Sequence, residues 1–285
     1  MQGLALLWLG LSAFISAQSS EPLIGGSVVT TDPAVVSWTV RGPTRCSGVL
    51  IGPRTVLTAA HCAVADTDVA QITVRFELGT ETTPITRTVT SQRPHPLWVR
   101  NLPAHDVMLL QLNEEVTQVQ PIGLYPQPIT TQDIGSSLRV IAYGVTEAGT
   151  ANGLGVKRAA PMLLKSLSEF QLTAGSDGAQ TCDGDSGAPA LMFRPNGDVE
   201  YVVATVSAGN RTCDSTDFFA RIDVESAWIS STAAEWGDTI VSCANCVVSP
   251  SSEGCGCRSG GGALIVIALL ILRRLAPSPV GRGSG

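Results

Sequence analysis

Lysine is nearly missing from this chain: Lys157 and Lys165 are the only two in 285 residues, and the formal net charge is −6. Holding a phosphate backbone takes a clustered basic surface, so the composition excludes a nucleic-acid partner. Histidine is scarce too, with His61, His95 and His105 making the full set. A helical period of useful length is absent before 224–235. The apolar run near the C-terminus, 263–272, has ten residues, short of the roughly 20 that a permanent membrane span needs.

What is plentiful points to short strands and turns. Apolar residues make up 44% of the chain, with 29 Gly and 17 Pro, the balance of a turn-rich all-β protein long enough for a large core. β-type runs fall at 35–40, 48–51, 71–78, 86–90, 107–112, 138–143, 188–192, 201–206 and 218–222. Turn signals such as Arg41-Gly42-Pro43 and Pro195-Asn196-Gly197 separate them. The stretch 224–235 reads as a C-terminal helix, with Trp228 and Ile229 available to pack.

The ends read as targeting segments. Residues 1–17 hold an apolar run from Leu4 to Ile15 and a small residue, Ala17, where a signal peptidase can cut, although no Lys or Arg precedes the run. Export into an oxidising compartment permits disulfides, and the eight cysteines form two sets. Cys46, Cys62, Cys182 and Cys213 lie in the body of the chain. Cys243, Cys246, Cys255 and Cys257 lie beyond it in a CxxC…CxC pattern without a nearby histidine, which favours disulfides or a modified thiol over a metal.

Three segments carry groups suited to covalent chemistry. His61 lies in Val56-Leu57-Thr58-Ala59-Ala60-His61-Cys62, Asp106 opens Asp106-Val107-Met108-Leu109-Leu110-Gln111-Leu112, and Ser186 lies in Thr181-Cys182-Asp183-Gly184-Asp185-Ser186-Gly187-Ala188-Pro189. Singly, they read as a histidine beside a disulfide, a strand-end cap and a turn serine. Together they supply a base, an orienting carboxylate and a nucleophile, the set that acyl transfer at neutral pH requires. His95 and His105 have no comparable context and read as surface or turn residues.

With Leu23-Ile24-Gly25-Gly26, Cys46-Ser47-Gly48-Val49-Leu50-Ile51, Val206-Ser207-Ala208-Gly209 and Phe218-Phe219-Ala220-Arg221-Ile222, these segments resemble, in order, the trypsin/chymotrypsin-like serine peptidases. The match runs from about Leu23 to about Trp236. The resemblance implies two packed antiparallel β-barrels with a C-terminal helix, and a triad of His61, Asp106 and Ser186 in the cleft between them. It implies an oxyanion hole from the N–H groups of Gly184 and Ser186, and disulfides Cys46–Cys62 and Cys182–Cys213. Asp185 would pair with a new N-terminal ammonium at Leu23. Pro22, rather than Arg or Lys, precedes that terminus, which points to another protease or to self-cleavage. Gln180, Ser207, Gly209 and Asp217 fall where the family builds its specificity pocket, and a carboxylate at Asp217 favours basic side chains. No metal or organic cofactor is implied.

The implied organisation is a signal peptide (1–17), a short propeptide (18–22), a peptidase domain (23–238), a Cys-containing linker (239–258) and a hydrophobic sorting or anchor tail (259–285). That tail, with Cys255-Gly256-Cys257, its apolar run and Arg273-Arg274, resembles the C-terminal sorting signals of myxobacterial surface proteins. The implied partners are protein or peptide substrates, an activating protease, C-terminal sorting machinery and the membrane. The alternative function is a catalytically silent homologue acting as a surface binding or adhesion module; the joint presence of His61, Asp106, Ser186 and Gly184 argues against it.

Overall fold

The structure is a computed structural model that describes residues 23–79, 83–102, 104–176, 178–194 and 199–241. The leader and propeptide at 1–22, the Pro195-Asn196-Gly197 turn, the four C-terminal cysteines and the tail lie outside the described residues.

Thirteen strands and one helix follow in chain order: β1 (Ser27–Val28), β2 (Val35–Val40), β3 (Thr44–Leu50), β4 (Thr55–Thr58), β5 (Ile72–Phe76), β6 (Ile85–Pro94), β7 (Met108–Leu112), β8 (Ser137–Ala142), β9 (Arg158–Leu167), β10 (Gln171–Gly175), β11 (Pro189–Phe193), β12 (Glu200–Ala208), β13 (Asp217–Arg221) and α1 (Ser226–Glu235). Strands β2-β3-β4-β7-β6-β5 close into one barrel. The second runs β9-β10-β13-β12-β11-β8 and closes through β8–β9, with β1 added on β9. Every pairing between these strands is antiparallel. The two-barrel architecture with a C-terminal helix is the one the sequence implied.

Strand alternation explains the apolar runs. In a barrel, alternate residues point in and out. Met108, Leu110 and Leu112 fill the first barrel, while Val107 and Leu109 join a second layer shared with Leu191, Val202 and Ile222 from the other barrel. Both faces are therefore buried, and the segment reads as a nearly unbroken apolar run. Ile229 of α1 is fully buried in the shared layer, and Trp228 packs against it.

Strands β9 and β10 were not foreseen. β9 carries Pro161, yet Ala160, Met162 and Leu164 still point inward while Pro161 faces out. β10 is short and mixed, with only Leu172, Ala174 and Gly175 buried. The surface reading of His95 is corrected. His95 does begin the turn after β6, accepting at its carbonyl from Trp98 N–H, but its ring is buried at 8% exposure against His105, Trp228 and Glu225. His105 is likewise half-buried in the same cluster.

Candidate active site

The cleft between the barrels gathers residues that lie far apart in sequence. His61 sits in a single 3-10 turn, Ala60–Cys62, just after β4, and the Cys46–Cys62 disulfide ties that turn back to β3. Asp106 lies two residues before the start of β7. Ser186 lies in the turn before β11, in a loop bridged by Cys182–Cys213.

His61 Nε2 is 2.8 Å from Ser186 Oγ, and His61 Nδ1 is 2.8 Å from Asp106 Oδ2. Asp106 Oδ1 also accepts from the His61 backbone N–H at 2.9 Å, and Ser207 Oγ donates to Asp106 Oδ2 at 2.6 Å. Burial pushes the Asp106 carboxyl up, but the bonds and charge of His61 and the Ser207 bond outweigh it and hold the carboxyl below its ordinary range. An ionised aspartate fixes one imidazole tautomer, leaving Nε2 to take a proton from the serine hydroxyl. Ser207, expected as a wall of the specificity pocket, lines a cavity beside Ser186 and also donates to Asp106.

Gly184 adopts φ +93°, a left-handed conformation that suits glycine, and a Cβ there would fall 2.8 Å from Leu154 Cδ1. The N–H groups of Gly184 and Ser186 meet no acceptor among the described residues. Their carbonyls are turned inward by Ser47 of β3, a residue that no local signal singled out. Its N–H donates to Ser186 O at 2.9 Å and its hydroxyl to Gly184 O at 2.9 Å. Two N–H groups without a protein acceptor on either side of a serine hydroxyl are the kind of donors that can stabilise a developing oxyanion.

Asp185 is fully buried. Its carboxylate accepts from Gly144 N–H at 2.7 Å and Cys182 N–H at 2.8 Å. Burial still pushes it up to about 7, despite those bonds. No cationic side chain lies within ion-pairing distance of it among the described residues. The Leu23 side chain is buried in the second barrel's core with Ala142, Ala179 and Ala188. Beside it, Gln180 N–H donates to Ile24 O at 2.9 Å.

Next to Ser186 a pocket of about 200 Å³ is lined by residues that include Thr181, Asp183, Ser207, Gly209, Arg211 and Cys213. Of the four expected pocket residues, Ser207 and Gly209 line it, and Gln180 and Asp217 do not. Asp217 lies just behind the Gly209 wall, where a Cβ would come 2.9 Å from its Oδ1. Its partner is Thr181, whose N–H donates at 2.7 Å, rather than Gln180 or Arg211. Burial pushes Asp217 up to about 6.

A two-barrel fold whose cleft joins a serine, a histidine and an aspartate in this order of contacts defines the class of serine endopeptidases. The sequence profile of the Trypsin family matches residues 24–229, and the chain belongs to that family; it is a serine-type endopeptidase that acts on proteins. The chain is 28% identical to snake venom serine proteinase 12 of Crotalus adamanteus, over 84% of this chain and 96% of the relative. It is 31% identical to phenoloxidase-activating factor 1 of Holotrichia diomphalia and 27% identical to CLIP domain-containing serine protease B10 of Anopheles gambiae, in each case over 53% of this chain. It spans about half the length of those two insect proteins, 51% in both. The fold is similar to that of neuropsin, a serine protease expressed in the limbic system of mouse brain, with a TM-score of 0.61 at 24% identity over 73% of this chain and 98% of the other.

Proposed function

We propose that Ser186, His61 and Asp106 are the catalytic triad of an exported endopeptidase that works through an acyl-enzyme. The observation that carries this reading is the pair of 2.8 Å contacts on either side of the His61 ring. Ser186 Oγ attacks the peptide carbonyl as its proton passes to His61 Nε2. The oxyanion forms against the N–H groups of Gly184 and Ser186, and each such donor is worth about 3–4 kcal/mol in the transition state. His61 then returns the proton to the leaving amine, and water repeats the cycle on the ester. Labelling with a fluorophosphonate probe tests this: wild type should react and Ser186→Ala should not. Labelling of both, or of neither once the chain begins at Leu23, would sink the assignment.

Activation is proposed to follow cleavage after Pro22. A buried carboxylate raised to about 7 is poorly stabilised by neutral N–H donors alone, and cleavage after Pro22 would supply an ammonium at Leu23. For substrate preference, the carboxylates of Asp217 behind the pocket and Asp183 on its rim favour a Lys or Arg side chain, with Arg211 on the rim as a counterweight. Among the described residues no helix is long and apolar enough to cross a membrane; surface display rests on the tail at 259–285.

A further inference from the structure

Two consecutive cations are buried where the loop 143–157 runs into β9: Lys157 is 1% exposed and Arg158 6%. Among the described residues neither has a carboxylate within ion-pairing distance. Lys157 turns toward the first barrel, where Nζ donates to Asp32 O at 3.2 Å and Glu77 O at 3.5 Å. Arg158 turns to its own loop, where Nη1 donates to Gly153 O at 2.8 Å and Val156 O at 3.0 Å. Its Nε is buried without a hydrogen-bond partner. A cation held this way costs desolvation that the two carbonyls only partly offset, so its position calls for a reason beyond stability.

The loop supplies one. Gly149, Gly153 and Gly155 hold φ between +74° and +83°, and glycine gives up more freedom on ordering than any other residue. Among the described residues, the other hydrogen bonds of 146–156 are made within the loop itself. Two of them zip the returning limb onto the start of the loop: Thr146 N–H to Asn152 O at 2.8 Å and Gly155 N–H to Tyr143 O at 2.7 Å. Arg158 secures that limb from β9.

The start of the loop in turn sets the nucleophile turn. Val145 N–H donates to Asp183 O at 2.8 Å, and Gly144 N–H donates to Asp185 Oδ1 at 2.7 Å. The Asp183 carbonyl and the Gly184 N–H share one trans peptide plane, so holding the first fixes the direction of the second. The returning limb meets the same spot, since Leu154 Cδ1 lies 2.8 Å from where a Gly184 Cβ would be.

We propose that Arg158 is a positioning residue for catalysis: its grip on Gly153 O and Val156 O keeps the loop seated and the Gly184 N–H aligned for the oxyanion. This rests on the oxyanion reading above. Without the clamp the limb lifts, Val145 loosens its hold on Asp183 O, and the Gly184 peptide is free to turn. The pocket walls at Ser207 and Gly209 lie outside this loop, so substrate binding is spared.

Kinetics of the full chain processed to Leu23, with a peptide amide substrate, test the clamp. Arg158→Met keeps the length of the stem and removes the donors. Its kcat should fall about 10–100-fold at nearly constant KM, less than the loss of a whole oxyanion donor. An apolar side chain replaces a buried cation, so the urea midpoint should hold or rise, unlike the outcome of a merely structural role. Inhibition by a peptide trifluoromethyl ketone, whose adduct carries an ionised oxygen, should weaken by about the same factor as kcat/KM. Arg158→Lys, which keeps a donor, should restore part of kcat. Leu154→Ala should lower kcat without unfolding the chain, and combining it with Arg158→Met should cost little more. Unchanged kcat in folded Arg158→Met, full kcat in Leu154→Ala, a rise in KM alone, or fully additive losses would overturn the role of Arg158. Any of these with Ser186→Ala inactive discards only the clamp, whereas full turnover in Ser186→Ala sinks the triad reading itself.

Discussion

Asp106 and Asp185 are the same residue type, both buried, one bonded to the histidine that meets Ser186 and the other next to Ser186 in the chain, yet they are poised in opposite ways. Asp106 accepts from the ring and backbone of His61 and from Ser207, and its carboxyl is held below the ordinary range. Among the described residues, Asp185 accepts from two backbone N–H groups, and it is pushed up to about 7. Burial raises both; what differs is the strength of the groups that answer it. Neutral amides offset only part of the desolvation of a carboxylate, whereas a partner able to carry positive charge offsets more. One aspartate has its strong partners in the uncleaved chain; on the proposed activation, the other gains its cation only after cleavage.

The widest test of that contrast removes the charge from the completed site. Asp106→Asn should lower kcat by about four orders of magnitude by allowing the wrong His61 tautomer, read with a peptide ester or amide substrate. Removing the waiting charge should matter only after processing: in chains beginning at Leu23, Asp185→Asn should cost about 10²–10³-fold in kcat, the scale of a damaged oxyanion hole.

Stability should separate the two residues by sign. The folded carboxyl of Asp185 binds its proton more tightly than an unfolded aspartate near 4. The uncleaved chain should therefore lose stability, by up to a few kcal/mol, as pH rises from about 4 to about 7. Asp106, with its lowered carboxyl, should instead add stability as pH rises through that of an unfolded aspartate. Urea unfolding across this range should show a downward component that Asp185→Asn abolishes and that cleavage after Pro22 removes; persistence of the slope in Asp185→Asn would assign it elsewhere.

Smaller effects sharpen the comparison. Ser207→Ala removes one donor to a charged acceptor, worth about 1.5 kcal/mol, so kcat should fall about tenfold and its acid limb should move to higher pH. Asp217, pushed up to about 6, should matter least. A preference for Arg and Lys over Leu and Phe should fade below about pH 6 as its carboxyl protonates, and a peptide panel with no such fading would remove Asp217 from recognition.

The sequence made the architecture and the three side chains of the proposed triad legible because each sits in a local pattern: His61 after an apolar strand, Asp106 before one, and Ser186 between glycines. Strand β9 escaped because Pro161 and a run of alanines hide its alternation, which tertiary pairing with β8 restores. Ser47 was visible only as part of a segment, since its task is to bond a loop some 137 positions away. His95, His105 and Glu225 were illegible as a group for the same reason. No spacing links them, and the docking of α1 against the end of β6 brings them together.

The two bonds from Ser47 to the nucleophile loop give the molecule a built-in gauge of its own assembly. The serine belongs to one barrel and the loop to the other, so the amides of the proposed oxyanion hole should be aligned only while the halves are pressed together. A nick in the connection from Asn113 to Ser136 would leave two pieces, each holding part of the site and neither able to turn over substrate. Recovery of turnover on mixing them would measure their affinity for one another, and any ligand that wedges the barrels apart would act as an inhibitor without entering the pocket.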